Sequence, residues 1–234
     1  MSRKKVVIVE GLISGGKTTL SRELGAALGE NTLVLTEPDE KNDANPYLAD
    51  YYQDTARWSF ALQAHMLSLR YRMHLRAQWF AMEGGGHAVL DRSFYGDTAF
   101  ARLQLKLGVM TQREFNTYSG LYHAMTASVL LPTVCLRVLV SPETAIRRIE
   151  SRMQKELGRK CESAVSIDYL RGLDREIDHM VGVLRSQGVT ILDVPWDADR
   201  DSPEIRHSTV TSLAARIEAT EPSDFFLDLH RRAI

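Results

Sequence analysis

The sequence predicts an α/β fold in three layers, with a five-stranded parallel sheet between helices. Three observations carry this expectation. The apolar run Val6-Val7-Ile8-Val9 leads straight into Gly11-Leu12-Ile13-Ser14-Gly15-Gly16-Lys17-Thr18, a phosphate-binding loop at the end of a buried strand and the start of a helix. Strand-like runs alternate with helix-like patterns along the chain, as parallel sheets require. Each of the first three strands ends in residues suited to phosphate or proton chemistry. The class is therefore that of the P-loop NTPases.

The strands are expected at Val6–Glu10, Thr32–Leu35, Ala88–Leu90, Cys135–Val140 and Thr190–Val194. The first helix runs from Lys17 to about Leu28, where Gly29 ends it. A long helix is expected from about Ala56 to Glu83, with Phe60, Leu62, Met66, Leu67, Leu69, Met73, Leu75 and Phe80 as its apolar positions. Gly84-Gly85-Gly86 stops it. Further helices fit Thr98–Lys106, Gln112–Ser128, Glu143–Lys155, Ile167–Ser186 and Ser208–Glu218, the last with Asp201-Ser202-Pro203 upstream as a start signal. No Pro/Gly/Ser linker divides the chain, so residues 1–234 are read as one domain. A tail over 222–234 carries Phe225-Phe226-Leu227 and Leu229, without a readable role.

A chain of 234 residues that is 44% hydrophobic can bury a full core. A net charge of -1 argues against a dedicated nucleic-acid or membrane-surface protein. Two cysteines, Cys135 and Cys161, make no disulfide framework, which suits a reducing, cytoplasmic setting. No secretory leader and no membrane-length apolar stretch is expected. The seven histidines lack metal-ligand spacing.

The loop supplies the first function. Gly11, Ser14, Gly15, Gly16, Lys17, Thr18 and Thr19 are the candidate ATP-binding residues: backbone N–H groups and the helix N-terminus cradle phosphate oxygens. Lys17 reaches the β- and γ-phosphates, and the Thr18 hydroxyl is a candidate Mg²⁺ ligand. Ligands of such sheets sit beyond the carboxyl ends of the strands. The second strand ends in Thr36-Glu37-Pro38 and the third in Asp91-Arg92-Ser93. Glu37 is the candidate base for an acceptor hydroxyl. Asp91 is a second candidate metal residue, and Arg92 matches the geometry of a transferring phosphoryl group.

A second set lies on the long helix. Gln63 and Arg70 are two turns apart on one face, with Met66 between them and Asp97 past the third strand. A glutamine amide can pair with a base edge, and an Arg70–Asp97 pair would complete a base-reading surface. The plainer alternative, an arginine snorkelling to water and a polar face residue, stays open from spacing alone. Phe100 is read as base stacking or as core. Between about 148 and 165, Arg148, Arg152 and Arg159 with Lys155 and Lys160 suggest a basic lid over ATP, or else a solvated basic face.

Together these stretches resemble the deoxynucleoside kinases, and within them the bacterial deoxyadenosine/deoxyguanosine kinase branch. The resemblance is carried by E-G-L-I-S-G-G-K-T-T at 10–19, T-E-P at 36–38, N-P-Y-L-A-D-Y-Y-Q-D at 45–54, R-W-S-F-A-L-Q at 57–63 and D-R-S-F-Y-G-D at 91–97. To these it adds G-R-K-C-E at 158–162, followed by I-D-Y-L at 167–170. It implies that Glu37 is the catalytic base and that Arg92 positions the 5′-hydroxyl and the phosphates. It implies that Gln63 pairs with the base, that Tyr52 binds the sugar 3′-hydroxyl and that the lid's Glu162 shares it. Arg70 and Asp97 match a pair found in members that accept cytosine or purines. The implied activity is transfer of the ATP γ-phosphate, with Mg²⁺, to a purine deoxyribonucleoside by a homodimer. Two rivals stand beside it: a thymidylate-like nucleoside monophosphate kinase, and a non-catalytic nucleotide-binding subunit. The lid departs from the family pattern in its extra length and in Met153, so either Arg152 or Arg159 is the phosphate clamp.

Overall fold

The computed structural model describes residues 4–36, 45–155, 165–198 and 202–221. Its elements run β1 Val6–Gly11, α1 Lys17–Ala27, β2 Leu33–Leu35, α2 Leu48–Gln53, α3 Thr55–Met82, β3 Ala88–Asp91, α4 Phe94–Lys106, α5 Gln112–Thr126, β4 Val134–Leu139, α6 Pro142–Lys155, α7 Ile167–Ser186, β5 Thr190–Pro195 and α8 Pro203–Ala219. The five strands form one parallel sheet in the order β2-β3-β1-β4-β5, as expected from the alternation of patterns.

This order decides where the chemistry gathers. β1 lies at the centre, paired with β3 on one side (Val9↔Asp91) and with β4 on the other (Gly11↔Val138). β2 pairs with β3 through Leu35↔Leu90. All strands point the same way, so the ends of β1, β2 and β3 stand side by side on one rim. All six residues of β1 are buried. A strand covered on both faces reads as a continuous apolar run, which is why Val6–Val9 was readable. The core continues through Leu90, Leu136 and Val138 in the sheet and Leu20, Leu67, Phe94, Leu173 and Ile177 in the helices.

Several boundaries differ from expectation. The helix expected at Thr98 begins four residues earlier, at Phe94, because Ser93 caps it and accepts from the Gly96 N–H. The last helix begins at Pro203 rather than Ser208: Ser202 is its cap, and proline suits the first turn. The six-residue α2 had no counterpart in the sequence reading. In the opposite sense β4 ends at Leu139, one residue short of the expected Val140. Among the described residues no helix is long and apolar enough to cross a membrane.

Candidate active site

The loop after β1 is shaped by close approach. A Cβ on Gly11 would stand 2.8 Å from the Val138 carbonyl oxygen on the neighbouring strand. Gly16, with φ 91°, caps α1 in a left-handed conformation, and no side chain caps that helix start. Its first-turn N–H groups are therefore left without a side-chain cap, and such groups at a helix start suit phosphate oxygens. Gly15 N–H donates to Leu12 O (3.1 Å), and the buried Lys17 Nζ donates to the same oxygen (2.6 Å). Ser14 lies beside them with φ 57°; Thr19 follows in the first turn of α1.

Across the β1–β3 pairing, the Thr18 hydroxyl donates to Asp91 Oδ2 at 2.5 Å. Asp91 is buried, and its Oδ1 has no hydrogen-bond partner among the described residues. A buried carboxylate oxygen without a partner, next to a hydroxyl at the phosphate loop, fits a hard cation that keeps waters and takes phosphate oxygens. Among the described residues no group of three acidic, histidine or cysteine side chains could hold a metal by itself. Thr18 and Asp91 would hold Mg²⁺ in company with the nucleotide.

Arg92 follows at once with φ 69°, a left-handed backbone that costs a non-glycine residue about 1–3 kcal/mol. Its N–H donates to Val9 O (3.1 Å) and its guanidinium to Gly11 O (3.3 Å), so β1 holds both ends of the residue. The guanidinium also lies over the Phe100 ring, 5.2 Å from its centroid. Phe100 is thus brought against the arginine and the edge of the core.

The second set also comes together. Arg70 on α3 and Asp97 in the first turn of α4 form an ion pair, both nearly sealed from water. Gln63 is 4% exposed, with Oε1 lacking a hydrogen-bond partner among the described residues, and Met66 is buried on the same face. The snorkelling alternative for Arg70 does not hold, since the side chain is buried with its acid. Tyr52 packs edge-on to Tyr51 (5.4 Å between ring centroids). The Tyr51 hydroxyl accepts from Gln104 Nε2 at 3.3 Å and bonds Tyr169 at the start of α7.

On the lid side, Arg148 donates to Trp196 O (3.0 Å) and Asp197 O (2.8 Å) just past β5, and Arg152 lies half-buried one turn on in α6. Glu37, Arg159 and Glu162 lie outside the described residues, as does the tail over 222–234.

Glu10 was not singled out in the sequence reading. It is wholly buried at the penultimate position of β1 and accepts a hydrogen bond from Ser93 Oγ (2.6 Å). Burial pushes its carboxyl pKa up; the charges of Arg92, Arg70 and Lys17 and the Ser93 bond pull against it. The available signal was an acid inside a run otherwise buried on both faces.

The comparisons with known proteins show the family. The deoxynucleoside kinase family model matches residues 7–214. A deoxyadenosine kinase of Dictyostelium discoideum is 34% identical over 199 residues, covering 85% of this chain and 75% of that protein. A deoxyguanosine kinase of the same organism is 31% identical over 193 residues, covering 82% of this chain and 64% of that protein. The fold is shared with deoxyadenosine kinase from M. mycoides, solved with dCMP and dCDP bound (TM-score 0.72, 22% identity, covering 92% of this chain and 99% of that one).

Proposed function

Since this chain belongs to the deoxynucleoside kinase family, a family of phosphotransferases, we propose that it transfers the γ-phosphoryl group of ATP to the 5′-hydroxyl of a purine deoxyribonucleoside. Deoxyadenosine is the first substrate in this reading, with deoxyguanosine and deoxycytidine as further acceptors. The observation that carries it is the meeting of the Lys17 loop, the Thr18–Asp91 bond and Arg92 on one rim, with the buried Gln63 and Arg70–Asp97 set on adjoining helices.

Phosphoryl transfer needs positioning and charge neutralisation more than covalent help. Lys17 and Arg92 stabilise charge on the transferring group, and lid arginines among Arg148, Arg152 and Arg159 join them. Bound at Thr18 and Asp91, Mg²⁺ would neutralise phosphate charge. Glu37 accepts the proton of the 5′-hydroxyl. Tyr52 and Glu162 hold the sugar.

Base choice follows from buried pairing. The Gln63 amide can pair with adenine in two hydrogen bonds, and Asp97 accepts from an exocyclic amino group. Arg70 can donate to guanine. Thymine offers a carbonyl and a methyl there, so the Asp97 carboxylate, paired with Arg70, would face a base with no donor to give it, at a cost of about 1–3 kcal/mol. The protein is read as a cytoplasmic homodimer packed through helices, with exposed Trp79 and Met82 of α3 in keeping with a covered face.

A panel of deoxyadenosine, deoxyguanosine, deoxycytidine and thymidine beside their 5′-monophosphates, with labelled ATP, tests the assignment. Label on the nucleosides, deoxyadenosine first, is expected. Label confined to diphosphates would establish the monophosphate-kinase rival.

A further inference from the structure

A carboxylate sealed inside a sheet is costly, and it persists where its surroundings compensate it. Around Glu10 those surroundings are the cations of the site: Arg92 first, then Arg70 and Lys17. Its direct partner is the Ser93 hydroxyl, which donates to Oε1 at 2.6 Å and accepts the Gly96 N–H at 3.5 Å. The same hydroxyl thus caps α4 and ties that cap to β1. The two residues before Ser93 are Asp91, bonded to Thr18, and Arg92, held in its left-handed backbone. One buried hydrogen bond therefore anchors the turn that carries both groups.

The helix backbone also packs against the other side of the carboxylate, with no room for a side chain between them. A Cβ on Gly96 would stand 2.4 Å from Glu10 Oε2, so the backbone of α4 rests on the acid itself. Oε2 has no hydrogen-bond partner among the described residues. Glu10 thus sets the spacing between β1 and the first turn of α4, where Asp97 begins its pairing with Arg70.

We infer that Glu10 is a positioning residue for phosphoryl transfer: through Ser93 it holds the Asp91-Arg92-Ser93 turn, so that the Arg92 guanidinium is in place before substrate arrives. This rests on the assignment of Arg92 to the transferring phosphoryl group. Preorganised donors act mainly in the transition state, and a small misplacement of such a group costs rate rather than binding.

The test uses the full chain carrying Glu10→Ala, Glu10→Gln, Ser93→Ala, the Glu10→Ala/Ser93→Ala double variant and Arg92→Lys. Rates are taken per nucleotide-binding site counted by titration, so that unfolded molecules drop out. Glu10→Ala is expected to lower kcat about tenfold to a hundredfold while KM for ATP stays within about twofold. Glu10→Gln keeps an acceptor for Ser93 and is expected to recover most of that loss. The double variant is expected to be no slower than the slower single one, because both remove the same bond. A wild-type kcat per site in Glu10→Ala, or losses that simply add in the double variant, would overturn the role. Where Glu10→Ala does not fold, Ser93→Ala decides by the same split: a reduced kcat at unchanged KM supports the role, and a wild-type kcat overturns it. Arg92→Lys separates the two failures. A wild-type kcat there removes the functional reading of Arg92 itself; a slow Arg92→Lys beside fast Glu10→Ala and Ser93→Ala overturns only the role of Glu10.

Discussion

Thr18 Oγ1 and Asp91 Oδ2 are joined by a 2.5 Å hydrogen bond although 73 residues separate them in the chain. The parallel pairing of β1 with β3 makes the contact, since Val9 lies opposite Asp91 and the loop closes over the top of both. The other oxygen of Asp91, Oδ1, has no hydrogen-bond partner among the described residues.

Asp91→Asn tests that geometry. It keeps the size of the side chain and can still accept from Thr18, but it removes the charge. The Mg²⁺ concentration needed for half-maximal rate is expected to rise about ten- to hundredfold. An unchanged Mg²⁺ titration, measured at fixed total ATP, would take Asp91 out of the metal site.

The Arg70–Asp97 pair makes a prediction in both stability and specificity. Removing one member leaves the other buried and unpaired, at a cost of about 3–5 kcal/mol, whereas replacing both with apolar groups is close to neutral. Asp97→Ala alone is therefore expected to melt earlier than Arg70→Met/Asp97→Ala. The double variant is expected to shift kcat/KM toward thymidine over deoxyadenosine by about tenfold or more. Retained purine preference in the double variant would contradict the base-reading role.

Gly96→Ala probes the packing of α4 on Glu10. The added methyl would overlap the carboxylate, and overpacking of this kind costs about 1–3 kcal/mol. Urea titration is expected to show a lower midpoint. A midpoint equal to wild type would mean that β1 and α4 separate more easily than their contact implies.

Much of this arrangement was legible in the chain. Val6–Val9 is buried on both faces and ends in a glycine loop, so strand, loop and helix could be placed together. Gln63 and Arg70 shared a helical face and the Arg70–Asp97 pair was expected, whereas spacing alone left open whether Arg70 was buried or reached water, and the ion pair with Asp97 of α4 decides it. The start of α4 was misplaced because its cap, Ser93, sits inside a motif read for chemistry, and Gly96 weakens the helical pattern. Glu10 offered only its place in the first strand as a signal, because its compensation comes from Ser93, Arg92 and Arg70, all distant in sequence. Glu37, Arg159 and Glu162 lie outside the described residues.

His74 supplies a pH prediction. It is buried on α3, donates from Nε2 to Leu130 O at 3.2 Å and packs edge-on against Phe94. Burial lowers its pKa from 6.5 to about 4. Between those values the unfolded chain binds the proton and the folded chain does not, so stability falls as pH drops from 6.5 toward 4. The full contribution is on the order of 3 kcal/mol. Unfolding free energies at several pH values are expected to show a shallower decline in His74→Phe than in wild type. Parallel pH curves would remove His74 as a source of acid sensitivity.

The central claim is phosphoryl transfer to a sugar hydroxyl, and phosphorus NMR of the product reads it directly. Incubation with ATP, Mg²⁺ and deoxyadenosine is expected to yield ADP and one new monoester, whose phosphorus couples to the two protons on C5′. Inorganic phosphate alone, a 3′-monoester, or no new phosphorus signal despite bound nucleotide would contradict the account.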